Sequence, residues 1–265
     1  MLSDPAKFID VIYEVRDRAA WIIINRPKVY NAFRARTLDE LIQAFQLAAN
    51  DRNVASIVLT GAGEKAFCTG GDQSAHQGNY DGRGVMGLPI DELQGIIRDI
   101  PKPVIARVNG FAIGGGHVLA TLCDLTIAAD SAQFGQVGPK VGSFDAGWGT
   151  AYLARCVGEK RAREIWYLNE RYGAKEAQEL GLVNKVVPMA ELDAAVNDWT
   201  EKISQRSPTA LAFLKRSFNA DSDAIRGISN LALHAVKLYY ATAESKEGVN
   251  AYNEKRPPDF YKFLD

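Results

Sequence analysis

Two glycine-rich segments, each placed close behind a β-rich run, constrain this chain more than any other feature. Ala66-Phe67-Cys68-Thr69-Gly70-Gly71-Asp72-Gln73 follows the run Ser56–Thr60, and Gly110-Phe111-Ala112-Ile113-Gly114-Gly115-Gly116-His117 follows Val104–Val108. The second cluster leads straight into an apolar helical stretch, Val118–Cys123. Glycine between strand and helix lets a ligand reach the main chain, where free N–H groups and the positive helix end face it. Trp21–Asn25 and Leu125–Ala128 also read as strands. Thr37–Ala49 reads as a helix with Leu38, Leu41, Ile42 and Phe45 on one face, opened by a Thr37–Glu40 capping box. This alternation predicts an α/β core.

After about residue 190 the strand signal ends. Glu191–Gln205, Ala224–Ala241 and Glu244–Lys255 read as helices, and Ser207-Pro208 makes an N-cap and first-residue pair. The expected organisation is a core over residues 1–205 and a helical region over 206–265. Tyr239, Tyr240, Tyr252, Phe260 and Tyr261 would pack either on another subunit or on the chain's own core. Of 265 residues 47% are hydrophobic and 24% charged, which excludes a disordered chain. A net charge of −1 leaves no global basic field for nucleic acid, so an anionic ligand needs a local site. Cys68, Cys123 and Cys156 have neither paired nor metal-like spacing, and reduced thiols in the cytoplasm are expected. His76, His117 and His234 lack metal-ligand spacing, so no metal is expected. Apolar runs such as Ala19 to Ile24 are too short to span a bilayer, and the N-terminus lacks a signal-peptide core. No membrane association is expected.

Neither cluster has the spacing of a dinucleotide fingerprint or a P-loop, and no nucleophile elbow is present. What remains is an oxyanion hole, two main-chain N–H groups from separate loops aimed at one developing negative charge. The clusters, with Pro101-Lys102-Pro103-Val104-Ile105-Ala106, Cys123-Asp124, Asn25-Arg26-Pro27, Asn31-Ala32 and Ser207-Pro208, resemble the crotonase (enoyl-CoA hydratase/isomerase) superfamily over essentially the whole chain. The resemblance implies a spiral of ββα repeats, a C-terminal helical trimerisation region and a homo-hexamer built from two trimers. It assigns the oxyanion-hole amides to Gly71 and Gly115.

Hydratases of this superfamily carry two catalytic glutamates, and the matching positions here are Val118 and Gly138, neither of which can move a proton. Simple hydration is therefore disfavoured. The stretch from Phe134 to Gly149 resembles a branch containing the 1,4-dihydroxy-2-naphthoyl-CoA synthases and the 2-ketocyclohexanecarboxyl-CoA hydrolases. The resemblance gives Ser143 and Asp145 catalytic roles. Gly71-Asp72-Gln73-Ser74-Ala75-His76, Gly78 to Gly84 and Lys237-Leu238-Tyr239-Tyr240 look like the hydrolases. Val137 stands where bicarbonate-using synthases have threonine, while Gly138 leaves room for a water or small anion.

The implied reaction is hydrolytic ring opening of a cyclic β-keto acyl-CoA, with 2-ketocyclohexanecarboxyl-CoA giving pimeloyl-CoA. Asp145 would be the base, with Ser143 and Tyr240 (the latter from the same or a neighbouring subunit) assisting. Phe144 and Trp148 would form an apolar wall around the base, and Tyr80, Gly138 and Trp148 the acyl pocket. Val29, Tyr30, Ala32, the backbone at Thr69, Gly70, Asp72 and Gln73, and Lys255 would bind coenzyme A, while Lys28 and Lys262 would only be solvated. Coenzyme A is part of the substrate, and no separate cofactor is expected. Read from spacing alone, Asp145 and Ser143 are equally turn residues, Tyr240 an interface aromatic, and His117 packing behind the glycine run. A naphthoate-synthase ring closure and a non-catalytic binding protein remain the alternatives.

Overall fold

Strand-forming residues recur between apolar helices along the first two-thirds of the chain, and each recurrence adds one turn to a spiral. The computed structural model describes residues 4–73 and 80–263. β1 (Val11–Arg16) and β2 (Ala19–Ile24) form an antiparallel hairpin followed by α1 (Ala35–Asn50). The next turn is β3 (Ser56–Gly61), β4 (Ala66–Cys68) and α2 (Ile90–Asp99). A third is β5 (Val104–Val108), β6 (Phe111–Ile113) and α3 (Gly115–Leu122). β7 (Leu125–Ala129) and β8 (Gln133–Gly135) lead through a loop to α4 (Leu153–Val157) and α5 (Glu159–Leu168). β9 (Tyr172–Gly173), α6 (Ala174–Glu179) and β10 (Lys185–Val187) follow, then α7 (Leu192–Ser204), α8 (Pro208–Ala220), α9 (Ala224–Tyr240) and α10 (Ala243–Asn253).

The first strand of each turn joins a sheet of order β1-β2-β3-β5-β7-β10, and the second joins a smaller sheet of order β4-β6-β8-β9. Pairing between successive turns is parallel, as the intervening helices require. This is the α/β crotonase spiral expected from the sequence. Side-chain alternation divides the large sheet's faces. Ile22, Ile24, Ile57, Leu59, Val104 and Ala106 face the main core with α1, α2 and α3, while Trp21, Val58, Ile105 and Ile127 face α7.

The strands left out of the sequence reading are mostly the short ones, and β4 and β6 lie inside the glycine clusters. Three residues are too few to display a period of two. The Thr37–Glu40 capping box does not form as expected, because α1 starts two residues earlier. Thr37 Oγ1 accepts from the Arg34 amide (3.2 Å) and donates to Asp10 Oδ2 (2.7 Å). Glu40 instead accepts the amides of Ile9, Asp10 and Val11 at 2.7–3.0 Å, tying the chain's entry to α1. Ser207 caps α8 by accepting from the Ala210 amide (3.3 Å), with Pro208 as first residue. The C-terminal aromatics divide: Tyr240 is buried, Tyr239 tilts onto Phe144 at 5.7 Å, and Tyr252 and Tyr261 are exposed.

The buried Lys215 of α8 fastens the C-terminal helices to the spiral. Its Nζ donates to Asp124 Oδ2 (2.7 Å) and to the carbonyls of Ile97 (2.8 Å) and Lys102 (3.0 Å). Between the glycine clusters contact is closer still. A Cβ on Gly116 would lie 2.0 Å from the Cys68 carbonyl oxygen, so α3 lies directly on β4. Gly116→Ala is expected to cost at least about 2 kcal/mol through overpacking. A lowered urea midpoint is the measurement, and an unchanged midpoint contradicts the packing.

Candidate active site

The two glycine loops meet main chain to main chain. Gly70 has φ +86°, and a Cβ there would sit 2.9 Å from the Gly115 amide nitrogen. Phe33 bridges the first loop: its N–H donates to the Gly70 carbonyl and its carbonyl accepts from the Asp72 N–H, both at 2.8 Å. This pairing uses the groups flanking Gly71 and turns the Gly71 N–H to the opposite side. Gly115 opens α3, so its N–H has no carbonyl four residues back within the helix. Both glycines line one cavity of about 160 Å³. Any larger residue would fill it, since a Cβ on Gly71 would meet Tyr80 Oη at 2.2 Å and one on Gly115 the Phe33 ring at 2.8 Å.

The loop after β8 supplies polar groups to the same cavity. Ser143 Oγ and Tyr240 Oη share a hydrogen bond of 2.7 Å, and Asp145 lies beside them in the wall. Of the two sources left open for Tyr240, the same or a neighbouring subunit, this chain itself supplies the residue here. Within this chain α9 runs back across the spiral and brings its last residue to Ser143. α9 approaches because Gly147 (φ +84°) has no side chain, and a Cβ there would lie 2.6 Å from Ser229. α10 supports the loop's start, with Ser245 Oγ donating to the Gly142 carbonyl at 2.6 Å.

Asp145 is partly buried and lines this cavity. Burial pushes its carboxyl up to about 6 from an ordinary 3.8, opposed by the Gly149 N–H, which donates to Oδ1 at 3.2 Å. Gly149 belongs to a π-helical turn, Trp148–Tyr152. Burial also raises Tyr240, with the Asp145 charge adding to the effect and the Ser143 hydrogen bond opposing it. Tyr80 rises by burial and by the proximity of Tyr240. Both phenols are therefore proton donors at neutral pH.

Several expected site residues sit elsewhere. Trp148 is buried outside the cavity, its ring against the Arg98 guanidinium at 4.8 Å. Trp166 of α5 takes the place expected for it, a role with no sequence signal because contact depends on the chain's return through α5. Gly138 lines the cavity, and the direction a side chain would take from it is closed. A Cβ there would meet the Ser143 carbonyl at 2.7 Å and the Trp166 ring at 3.1 Å. Tyr80 and Phe144 do line the cavity, with Leu233 and Val236 of α9 opposite. Val118 is buried in α3 away from the cavity. His117 is buried behind the glycine run, its Nδ1 3.1 Å from Gln136 Nε2 and its Nε2 on the Tyr172 hydroxyl. Burial pushes it down to about 3, so it stays neutral.

A second groove of about 590 Å³ shares Thr69, Val137, Val141 and Tyr252 with the cavity and leads outward. Lys255 and Tyr30 line it, together with Lys140 and Arg171, two cations absent from the sequence expectation. Thr69, Gly70 and Gln73 line the inner cavity. Asp72 does not: it is buried in an ion pair with Arg26 (2.8 Å), and its amide is taken by Phe33. Val29 is exposed and Ala32 buried, and neither lines the groove. Lys262 pairs with Glu247 at 3.1 Å instead of being only solvated. The discriminating residues Ser74, Ala75, His76, Gly78 and Asn79 lie outside the described residues. Among the described residues no group of His, Cys, Asp or Glu is arranged for a metal ion, and no helix is long and apolar enough to cross a membrane.

A ββα spiral presenting paired loop amides to a small cavity, with a cation-lined groove leading outward from it, defines an enzyme of the crotonase class. Residues 14–262 match the enoyl-CoA hydratase/isomerase family, and the chain belongs to it. Among solved structures, an enoyl-CoA hydratase from Mycobacterium avium subsp. paratuberculosis K-10 superposes with TM-score 0.84 at 27% identity, covering 95% of this chain and 98% of that one. A carnitinyl-CoA hydratase from Mycobacterium avium gives TM-score 0.82 at 32% identity over 94% and 97% of the two chains. An enoyl-CoA hydratase/isomerase from Pseudoalteromonas atlantica T6c, at 24% identity and TM-score 0.87 over 95% and 100%, shares the fold. The family is one of enzymes acting on coenzyme A thioesters.

The raised Asp145 carboxyl has a consequence for stability. Between 3.8 and about 6 the folded state binds more protons than the unfolded chain, so stability falls as pH rises through that window. The full penalty is present above it. Asp145→Asn is expected to raise stability at pH 8 by about 1–2 kcal/mol and to change it little at pH 3.5. Paired thermal melts at the two pH values measure this. Equal shifts at both place the carboxyl at its ordinary acidity.

Proposed function

We propose that the chain hydrolyses a ring carbon–carbon bond in a monocyclic β-keto acyl-CoA, with 2-ketocyclohexanecarboxyl-CoA as the type substrate. The observation that carries this reading is the convergence of Asp145, Ser143 and Tyr240 with the Gly71 and Gly115 amides on one small cavity. Its volume, about 160 Å³, favours one six-membered ring over a fused pair, since a benzene molecule occupies an apolar cavity of about 150 Å³. Val118 and Gly138 stand at the hydratase glutamate positions and have no proton to move.

In this mechanism the thioester oxygen rests between the two glycine amides and the ring ketone lies near Ser143. Asp145, ionised above about pH 6, takes a proton from water as the water oxygen adds to the ketone carbon. The resulting alkoxide reforms a carbonyl as a carboxyl group, and the ring bond to the α-carbon breaks. Its electron pair moves onto the thioester as an enolate, whose oxygen the Gly71 and Gly115 N–H groups hold. Tyr240, kept protonated by burial, gives its proton to the α-carbon, and the proton held on Asp145 restores the phenol. One water is consumed, and a ring-opened dicarboxyl-CoA leaves. Lys255, Lys140 and Arg171 would neutralise the phosphates in the outer groove. Phe213, Phe218, Leu231 and Leu238 are exposed on α8 and α9, and self-association over this face completes the proposal.

The test is a panel of cyclic β-keto acyl-CoAs and an open naphthoate precursor thioester, with products read by mass. A gain of one water on a six-membered-ring substrate is expected, and Asp145→Asn should reduce that turnover by at least about 10³-fold with the fold intact. Ser143→Ala should retain measurable activity, about 10–10²-fold down. Loss of water from the open precursor, without ring opening of any panel member, sinks the hydrolase reading in favour of ring closure.

A further inference from the structure

The Asp145 carboxylate is steadied by a turn whose geometry depends on a buried cation from another part of the fold. Trp148–Tyr152 is a π-helical turn, a strained arrangement that recurs at functional sites. Its second residue, Gly149, donates to Asp145 Oδ1, and the fit is tight. A Cβ on Gly149 would be 2.9 Å from that oxygen and 3.0 Å from the Trp166 ring. The turn's first and last residues, Trp148 and Tyr152, both face the guanidinium of Arg98, each ring 4.8 Å from its central carbon. The rings meet edge to face at 5.7 Å.

Arg98 lies near the end of α2, far from the loop in sequence, and is buried. Its hydrogen bonds go to neutral groups, the Tyr152 hydroxyl among them, and the Lys215 ammonium lies near enough for the two charges to oppose each other. Nη2 donates to Ser222 Oγ (2.6 Å) and the Asn219 carbonyl (3.2 Å), while Nε has no hydrogen-bond partner among the described residues. Burying a guanidinium this way is costly, and an aliphatic side chain would fill the volume more cheaply. The cation's return comes from the Trp148 and Tyr152 rings, which it attracts through their faces, and from its hydrogen bond with the Tyr152 hydroxyl. Because those rings sit at the two ends of one turn, the attraction fixes the turn's span.

We propose that Arg98 is a positioning residue for Asp145, holding the Trp148–Tyr152 turn so that the Gly149 amide meets the carboxylate. The proposal rests on the reading of Asp145 as the proton carrier. Among the described residues, the polar groups acting on Asp145 are the Gly149 amide, which donates to it, and the Tyr240 phenol, which burial and the Asp145 charge hold protonated. Of these the Gly149 amide favours the charged carboxylate, so loosening the turn makes the carboxyl harder to ionise.

Infrared difference titration tests this without a substrate, following the protonated-carboxyl band that disappears in Asp145→Asn. In the wild type its midpoint is expected at about 6. In Arg98→Met, with native circular dichroism, the midpoint should move upward by roughly half a pH unit or more. Arg98→Lys should recover part of the shift. Should Arg98→Met not fold, Tyr152→Leu removes one ring and should move the midpoint the same way by less. A folded Arg98→Met or Tyr152→Leu with a wild-type midpoint overturns the positioning role. A wild-type midpoint near the ordinary carboxylate value instead removes Asp145 from the proposed chemistry, so the two failures are separable.

Discussion

Main chain touching main chain at Gly70, Gly115 and Gly116 is the constraint from which the site follows. Two amides can address one oxygen only if their loops approach more closely than side chains permit, and here each position is closed to a Cβ. The spiral supplies that approach. β4 and β6 are neighbours in the small sheet, so the loops leaving their ends emerge side by side. The parallel pairing sets the spacing, and the helix starting at Gly115 orients one amide along its own axis.

The loop after β8, with its many glycines, needs support from outside itself, and it receives this from four helices packed around it. α10 meets it at Gly142, α9 at Gly147, α5 through Trp166, and α2 through Arg98. Each contact uses a missing side chain or a ring to bring the loop to a defined place. The result is a carboxyl held out of bulk water but opening onto the cavity. That environment raises its proton affinity toward neutrality. A carboxylate fully exposed to solvent at the same loop would be a weaker base.

Much of the site was legible beforehand because it resides in local motifs. The glycine clusters offer main-chain amides to a ligand, whereas Ser143 and Asp145, which line the cavity, were singled out by the family resemblance and not by their spacing. Those motifs appear in the structure in the predicted order on the predicted loops. The misplacements share another character. Trp148 and Asp72 are close in sequence to true cavity residues but point away from the cavity, Trp148 toward Arg98 and Asp72 toward Arg26. Neighbouring residues on a turn project in different directions, and sequence proximity carries no information about which one faces the ligand.

Periodicity and residue type, which are local properties, determined the α/β alternation and the two glycine clusters, while the spiral and the absence of the hydratase carboxylates came from the resemblance to the crotonase superfamily. Tertiary structure alone decided that Tyr240 meets Ser143 within one chain. It also put Trp166 in the place expected of Trp148, and set the Ser143 carbonyl and the Trp166 ring against Gly138. The physical reason is the return of α5 and α9 over a loop many residues earlier. Which side chains such returning helices bring together depends on packing between distant segments, and no window of sequence contains both partners.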